Sequence, residues 1–364
     1  MMKILRTYVL REHLGPFLVA LSGLTAVLLV GNVIKLAELV IAKGVSLFDI
    51  LRLLIYLTPY LLSFTIPLAA LIATVMAFGR LSSDYELIAM RASGIAPARL
   101  ILPLLTAAFM LSGIVLLLND RVVPASHLAF RRQAKAIGVK RPTAYLEAGT
   151  FIREFVPYVI FVYHIEGNVL SDVRIYEPQP NGPTRTILAN RGTFEPLPGK
   201  QGVRLKLSDG TADEWDLQRP GSFYKIAFGS YTMNLTGDPE AVKQLGKKLK
   251  EMTFHEVLAE RARLEAEGID PLPVSLELHR KIASSFATWV FVLFGLGMGL
   301  GQEHHERLVS FVWVLGITIT YYLAVIGTNA IAMKGWMPAW LAMWIPNLVG
   351  SGWGAMRLLR TVRQ

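Results

Sequence analysis

LSSDYELIAMRASGIAP, residues 81–97, is a polar island between two apolar runs, Phe48 to Gly79 ahead of it and Leu100 to Leu118 behind it. A connector between two membrane spans needs only a few residues, and this one is long enough to hold a helix of its own. Ser83 followed by Glu86 has the capping-box spacing, in which the serine oxygen accepts from a first-turn amide and the glutamate reaches back to the cap amide. Leu87, Met90 and Arg91 follow at helical spacing, Gly94 is placed to end the helix, and Pro97 suits the first turn of the next one. The spacing predicts a short amphipathic helix at a membrane surface. Two readings of it fit: Glu86 is a cap and the apolar face rests on headgroups, or the helix is a handle for a soluble partner.

The surrounding composition makes the membrane explicit. Of 364 residues, 53% are hydrophobic and only 18% charged, and mean hydropathy is +0.43; the apolar residues fall in blocks near the roughly 20 residues that a bilayer span requires. The first block, Pro16 to Ile34, follows Lys3, Arg6 and Arg11 but leads to Asn32, Ile34 and Lys35, not to a small-residue cleavage site, so it reads as a retained anchor. The second, Phe48 to Gly79, would make about 48 Å of helix and reads as one tilted span kinked at Pro59 and Pro67. Leu100 to Leu118 is the third. Ile282 to Gly301, Leu308 to Ile326 and Trp336 to Met356 follow near the end of the chain, the last rich in tryptophan.

Between the two sets of spans the texture changes. Tyr158 to Ile165, Val169 to Tyr176, Thr186 to Phe194, Val203 to Leu207 and Phe223 to Leu235 read as strands, separated by turn signals at Glu166-Gly167-Asn168, Pro180-Asn181-Gly182 and Ser208-Asp209-Gly210. Such a series suits an antiparallel sandwich or jellyroll, whose inward and outward positions alternate; Phe161 and Leu205 are examples of inward candidates, and which face is inward stays open. The expected plan is residues 1–120 as three spans carrying the 81–97 helix, 121–238 as the β domain, 239–273 as a helical connector and 274–364 as three more spans.

Charge sets the orientation. The short segments on the side of the N-terminus hold Lys3, Arg6, Arg11, Arg80, Arg91, Arg99, Arg307, Arg357, Arg360 and Arg363 against Glu12, Asp84, Glu86, Glu303 and Glu306, whereas the other side offers Lys35, Lys43 and Lys334. The positive-inside rule then places both termini and the 81–97 helix in the cytoplasm and the β domain outside it.

Enzyme motifs are missing. There is no GxxxxGK[ST] phosphate loop, His255-Glu256 lacks the second histidine of a zinc-protease helix because Ala259 stands there, and no cysteine exists to act as nucleophile or ligand. His304 and His305, between Glu303 and Glu306, read as a solvated turn. Arg131, Arg132, Lys247 and Lys248 fall on the outer side, where anionic lipid and not nucleic acid is the partner to expect. Lys35 lies where the first span meets the outer interface, and two readings stay open for it: a snorkelling side chain, or a cation that meets a phosphate-bearing headgroup.

MRASGI after Glu86, the entry RTYVLRE, the return ELHRKIA at Glu277 to Ala283 and the span pattern together resemble the lipopolysaccharide export permeases of the LptF/LptG type, closer to the LptF-like member, over essentially the whole chain. The resemblance implies a six-span ABC transporter permease in the bacterial inner membrane with a periplasmic β-jellyroll. It implies as partners a cytoplasmic ABC ATPase dimer that binds the ATP and Mg, a second related permease, a periplasmic jellyroll bridge protein and lipopolysaccharide; this chain itself would hold no cofactor. The family's coupling glutamate maps onto Glu86, with Leu87, Met90 and Arg91 beside it, and a basic residue near the outer end of the first span maps onto Lys35; Lys43 is a further substrate-contact candidate with no equally clear match. An exporter of lipoprotein or another lipid, and a membrane-bound ligand sensor, are the alternative functions.

Overall fold

Each apolar block folds as a helix longer than the block itself. The computed structural model describes residues 2–41, 44–96, 98–140, 148–152, 155, 157–179, 182–196, 203–215, 223–235, 246–300 and 307–363. Helix α1 is Met2–Ile41 and α2 is Leu47–Ser83, running through Pro59 and Pro67 without a break. After the short α3, Glu86–Ala92, α4 (Ala98–Leu117) passes through a π turn, Leu118–Val122, into α5, Val123–Lys140. The return comprises α6 (Phe254–Ala266), α7 (Leu272–Gly299), α8 (Arg307–Met333) and α9 (Ala339–Arg363). Lys43, Pro97, and the 302–306 turn with His304 and His305 lie outside the described residues.

Among the described residues five helices are long and apolar enough to cross a membrane: Ile4–Ala37, Leu47–Ser83, Arg99–Ile137, Leu272–Gly299 and Val312–Met333. The third corrects a sequence expectation, because the chain past Arg121 is helical to Lys140 and the sheet begins only at Phe151. The π turn explains why the helix survives there: Pro124 offers no N–H to the carbonyl of Asp120 and its ring crowds that turn, which a locally widened helix relieves.

The chain divides into two compact units, one of Met1–Asn32, Leu54–Leu128 and Lys247–Gln364, the other of Val33–Leu53 and Ala129–Gly246. In the first, α7 is the central helix and glycines set its spacing. A Cβ on Gly295 would lie 2.8 Å from Cβ of Thr74 and one on Gly299 2.7 Å from Cβ of Phe78, so α2 rests directly on the α7 backbone. On another face of α7, Gly350 and Gly354 of α9 meet Val290 and Leu293. This is small-residue packing of the kind that lets helices approach closely in lipid. Only 6% of the most apolar window of α1 and 17% of that of α8 are buried, against 67% for α2 and for α7, so α1 and α8 turn apolar surface away from their own chain.

The second unit holds six strands: β1 (Phe151–Ile152), β2 (Val159–Glu166), β3 (Val169–Gln179), β4 (Gly182–Pro196), β5 (Val203–Trp215) and β6 (Phe223–Leu235). They form one sheet in sequence order, every neighbouring pair antiparallel. Ser208-Asp209-Gly210 is not a reversal, as its turn residues suggest, but lies inside β5. Asp209 (φ 54°) and Asp172 in β3 (φ 54°) are both left-handed, and the ladders skip Tyr163, Asp172, Asn190, Asp209 and Gly229 in a row across five strands. Aspartate tolerates that conformation better than most residues. Gly210 beside this row has no room for a side chain, since a Cβ would be 2.4 Å from the carbonyl oxygen of Leu188.

The row acts as a crease. On one side of it the buried positions are Val173, Ile175, Ile187, Ala189 and Ala212, on the other Leu170, Phe194, Leu205 and Leu207, so along each of β3, β4 and β5 the buried set shifts by one residue at the row. The apolar face is thereby kept continuous while the sheet bends, and apart from Phe155 all of its fully packed core comes from the strands themselves. Leu205 is buried on this apolar face. Phe161 is not: it lies between the buried Ile160 and Val162 and stacks with Phe151 and Tyr163.

Candidate functional site

The first unit carries polar constellations at its two ends. At one end, α2 continues through Ser83, whose hydroxyl donates back to the carbonyl of Arg80 at 3.0 Å, so Ser83 is not a cap. Tyr85 takes a left-handed backbone (φ 58°) with no side-chain cap, and Glu86 becomes the first residue of α3, not the third. The capping-box reading is therefore corrected, and with it the length of the predicted helix, which covers only Glu86–Ala92 of residues 81–97. Gly94 does end it: at φ 78° its amide bonds Arg91 while Ile95 bonds back to Met90, a Schellman closure.

Freed from capping, the Glu86 carboxylate is held by its own chain. The Tyr8 hydroxyl donates to it at 2.8 Å, Arg80 donates to the Tyr8 oxygen at 2.9 Å, and Arg80 also pairs with Glu12 at 2.9 Å. Asp84 and Glu86 stand 3.8 and 3.9 Å from the same guanidinium. Tyr8 and Glu12 are one helical turn apart, which puts both on one face of α1. The opening RTYVLRE carried this signal. What it could not reveal without the fold was that Arg80 and Glu86 are the residues it faces.

Leu87 is turned inward, into a core with Val9, Phe78, Leu81, Leu100 and Ile101, and Met90 packs partly against it. Neither lies on the outer face of α3, which is formed by Tyr85, Ile88, Ala89 and Ala92; Arg91 is half-buried. Lys35 is exposed on α1, in the second unit.

Toward the other end of the first unit, the start of α7, the middle of α2 and of α8, and the starts of α5 and α9 come together around a cavity of about 270 Å³. The ELHRKIA segment lines it. Glu277, Arg280, Lys281 and Ser284 recur at helical spacing on one face; Arg280 donates to Glu277 at 2.7 Å, and the buried Lys281 ammonium donates to the carbonyl of Met252. The π turn aims two side chains at the same region: Asn119 donates to Ser285 at 2.9 Å, and Asp120 accepts from the amide of Phe254 at 2.6 Å, pinning the start of α6. Thr253 and Glu256 form a full capping box on α6, and the Lys247 ammonium, with the Thr253 amide, holds the Glu256 carboxyl below the ordinary carboxylate range. No group of three or more histidine, aspartate and glutamate side chains able to hold a metal occurs among the described residues.

Five helices long and apolar enough to cross a membrane, with an antiparallel sheet inserted between them, are the plan of a multi-pass membrane protein. The chain belongs to the lipopolysaccharide export system permease LptF/LptG family, whose model matches residues 7–360. It is also 22% identical over 331 residues to the uncharacterized protein RP871 of Rickettsia prowazekii (strain Madrid E), an alignment that covers 88% of this chain and 90% of that one.

Proposed function

We propose that this chain is one permease subunit of an ATP-driven exporter that lifts lipopolysaccharide from the outer leaflet of the inner membrane and hands it to a periplasmic bridge. The observation that carries the reading is the family match over residues 7–360, which includes the α2–α3 elbow, the sheet and the return segment. In this reading a cytoplasmic ABC ATPase dimer binds ATP and Mg, a second permease of the same family completes the membrane part, and the creased sheet serves as a periplasmic jellyroll unit for acyl chains. The subunit is of the LptF-like kind. Six helices cross the membrane, with both termini cytoplasmic, and lipid phosphate meets Lys35, with Lys43 nearby in sequence, as it enters at the outer end of α1.

The elbow is the point of coupling. Glu86 is partly exposed while bonded to Tyr8, and Arg91 sits on the same short helix. An ATPase that docks on Tyr85, Ile88 and Ala92 meets the Glu86 carboxylate with a cation of its own, while Leu87 and Met90 anchor α3 so that a push on it reaches α2 and α4. Losing one partner of a desolvated charge pair costs about 2 to 5 kcal/mol. Glu86→Gln keeps an acceptor for Tyr8 and removes the charge, so ATPase association should weaken about 30-fold or more while the purified membrane subunits keep their thermal stability. Unchanged association and unchanged ATPase stimulation would show that Glu86 serves only the elbow.

A further inference from the structure

We propose that the cavity at the head of α7 is a binding site for the phosphate of a single anionic glycerophospholipid of the surrounding membrane, separate from the entry point of the exported lipid at α1. The geometry points to an anion because donors outnumber acceptors. Lys250, Arg280 and Lys281 line the cavity, and its one carboxylate, Glu277, is already engaged by Arg280. Lys281 is buried and donates to the carbonyl of Met252, which leaves the positive charge itself without a carboxylate in hydrogen bond. Burying a cation is costly, and the nearby Glu277, Asp120 and Glu256 act on it only through space, so a further anion within hydrogen-bond distance would add to its stabilisation. His127 adds a buried Nε2 atom with no hydrogen-bond partner, its ring edge-on to Tyr60 at 4.8 Å.

Position and size narrow the anion to a lipid head. The cavity runs from the exposed Lys250 and the start of α7 inward to Phe64 and Tyr322, midway along α2 and α8, so a charged group at its polar end would have apolar lining beyond it. Its rim carries the exposed Lys250, while Phe64, Tyr322 and Ile326 give it an apolar wall. A volume of about 270 Å³ equals roughly nine waters at about 30 Å³ each, room for one phosphate and the first methylenes of a chain. Solvated inorganic phosphate would have no use for the apolar wall.

The test uses the full chain, purified with its co-purifying subunits into nanodiscs that contain trace phosphatidylglycerol with a diazirine in its acyl chain. Irradiation should label the Tyr322–Ile326 peptide above the level of a control peptide on the exposed face of α1. Each lost charge near a headgroup is worth about five-fold, so Lys281→Gln and Lys250→Glu should each reduce that label by about that factor or more. Lys250 is exposed, so its variant stays informative even where Lys281→Gln disturbs the tether to Met252. Diacylglycerol with the same diazirine chain should label no better than the control, and neither excess inorganic phosphate nor lipopolysaccharide should displace the signal. Equal labelling by diacylglycerol, or undiminished labelling of both variants, would sink the proposal. Displacement by inorganic phosphate would make this a free-anion site, and displacement by lipopolysaccharide would make it part of the export route; either outcome overturns the assignment without touching the coupling role of Glu86.

Discussion

Tyr8 has a single hydroxyl proton, and it goes to Glu86 while the oxygen accepts from Arg80. One phenol thus ties the first helix to the elbow. Tyr8→Phe keeps the ring in the core beside Leu87 and removes only that link, at about 1 kcal/mol, because the site is partly wet. Arg80→Gln is expected to do more, since Glu12, Asp84 and Glu86 all lie within 3.9 Å of that guanidinium and would be left facing one another. Amide exchange over α3 should rise modestly in the first variant and strongly in the second. The reverse order would mean that the phenol, not the guanidinium, organises the elbow. Sequence reasoning singles out Glu86 but gives it the wrong structural partner. Ser83 and Glu86 match a capping box in spacing alone, and what breaks the match is the left-handed backbone at Tyr85, a conformation that an aromatic residue does not advertise.

Among the elements, the helices were the most legible because lipid demands long uncharged runs; their ends were not. Asn119, Asp120 and Arg121 look like the exit of the third span, whereas the π turn points Asn119 at Ser285 and Asp120 at the start of α6 and the helix itself continues to Lys140. The sheet shows a similar failure. Ser208-Asp209-Gly210 has turn chemistry, and that chemistry is used to crease a strand rather than to reverse it. Glycine spacing in α7 gives a sharper handle. Gly295→Ala and Gly299→Ala each place a methyl within 2.8 Å of α2 side-chain carbons at their Cβ positions, which cannot swing aside. Overpacking of this kind costs about 1 to 3 kcal/mol. Gly316→Ala in α8 meets nothing within 4 Å and should be neutral or gain up to about 1 kcal/mol of helix propensity. Thermal unfolding of the purified protein distinguishes them, and equal midpoints for Gly299→Ala and Gly316→Ala would mean that α2 and α7 are not in direct contact.

For the whole molecule the open quantity is the number of crossings, since it decides on which side the chain finishes. Among the described residues five helices are apolar enough by composition, and α9 is not one of them. Yet α9 has 25 residues, about 37 Å of helix, and no charged residue between Ala339 and Met356. What lowers its hydropathy is turned inward: Asn347 is buried, donating to the carbonyl of Ala283 at 2.7 Å and accepting from Tyr321 at 2.8 Å, while Gly350 and Gly354 pack on α7. Average hydropathy undercounts a span whose polar atoms are spent on its neighbours, and in the proposed arrangement α9 supplies the sixth crossing. The native chain has no cysteine, so single introduced thiols report cleanly. In intact spheroplasts an impermeant thiol reagent should modify Ser171→Cys and leave both Ser93→Cys and a cysteine appended after Gln364 untouched until the membrane is opened. A reactive appended cysteine with a protected Ser93→Cys would reduce the count to five and leave α9 on the outer side. A reactive Ser93→Cys with a protected Ser171→Cys would invert the protein, and the coupling role assigned to Glu86 would fall with it.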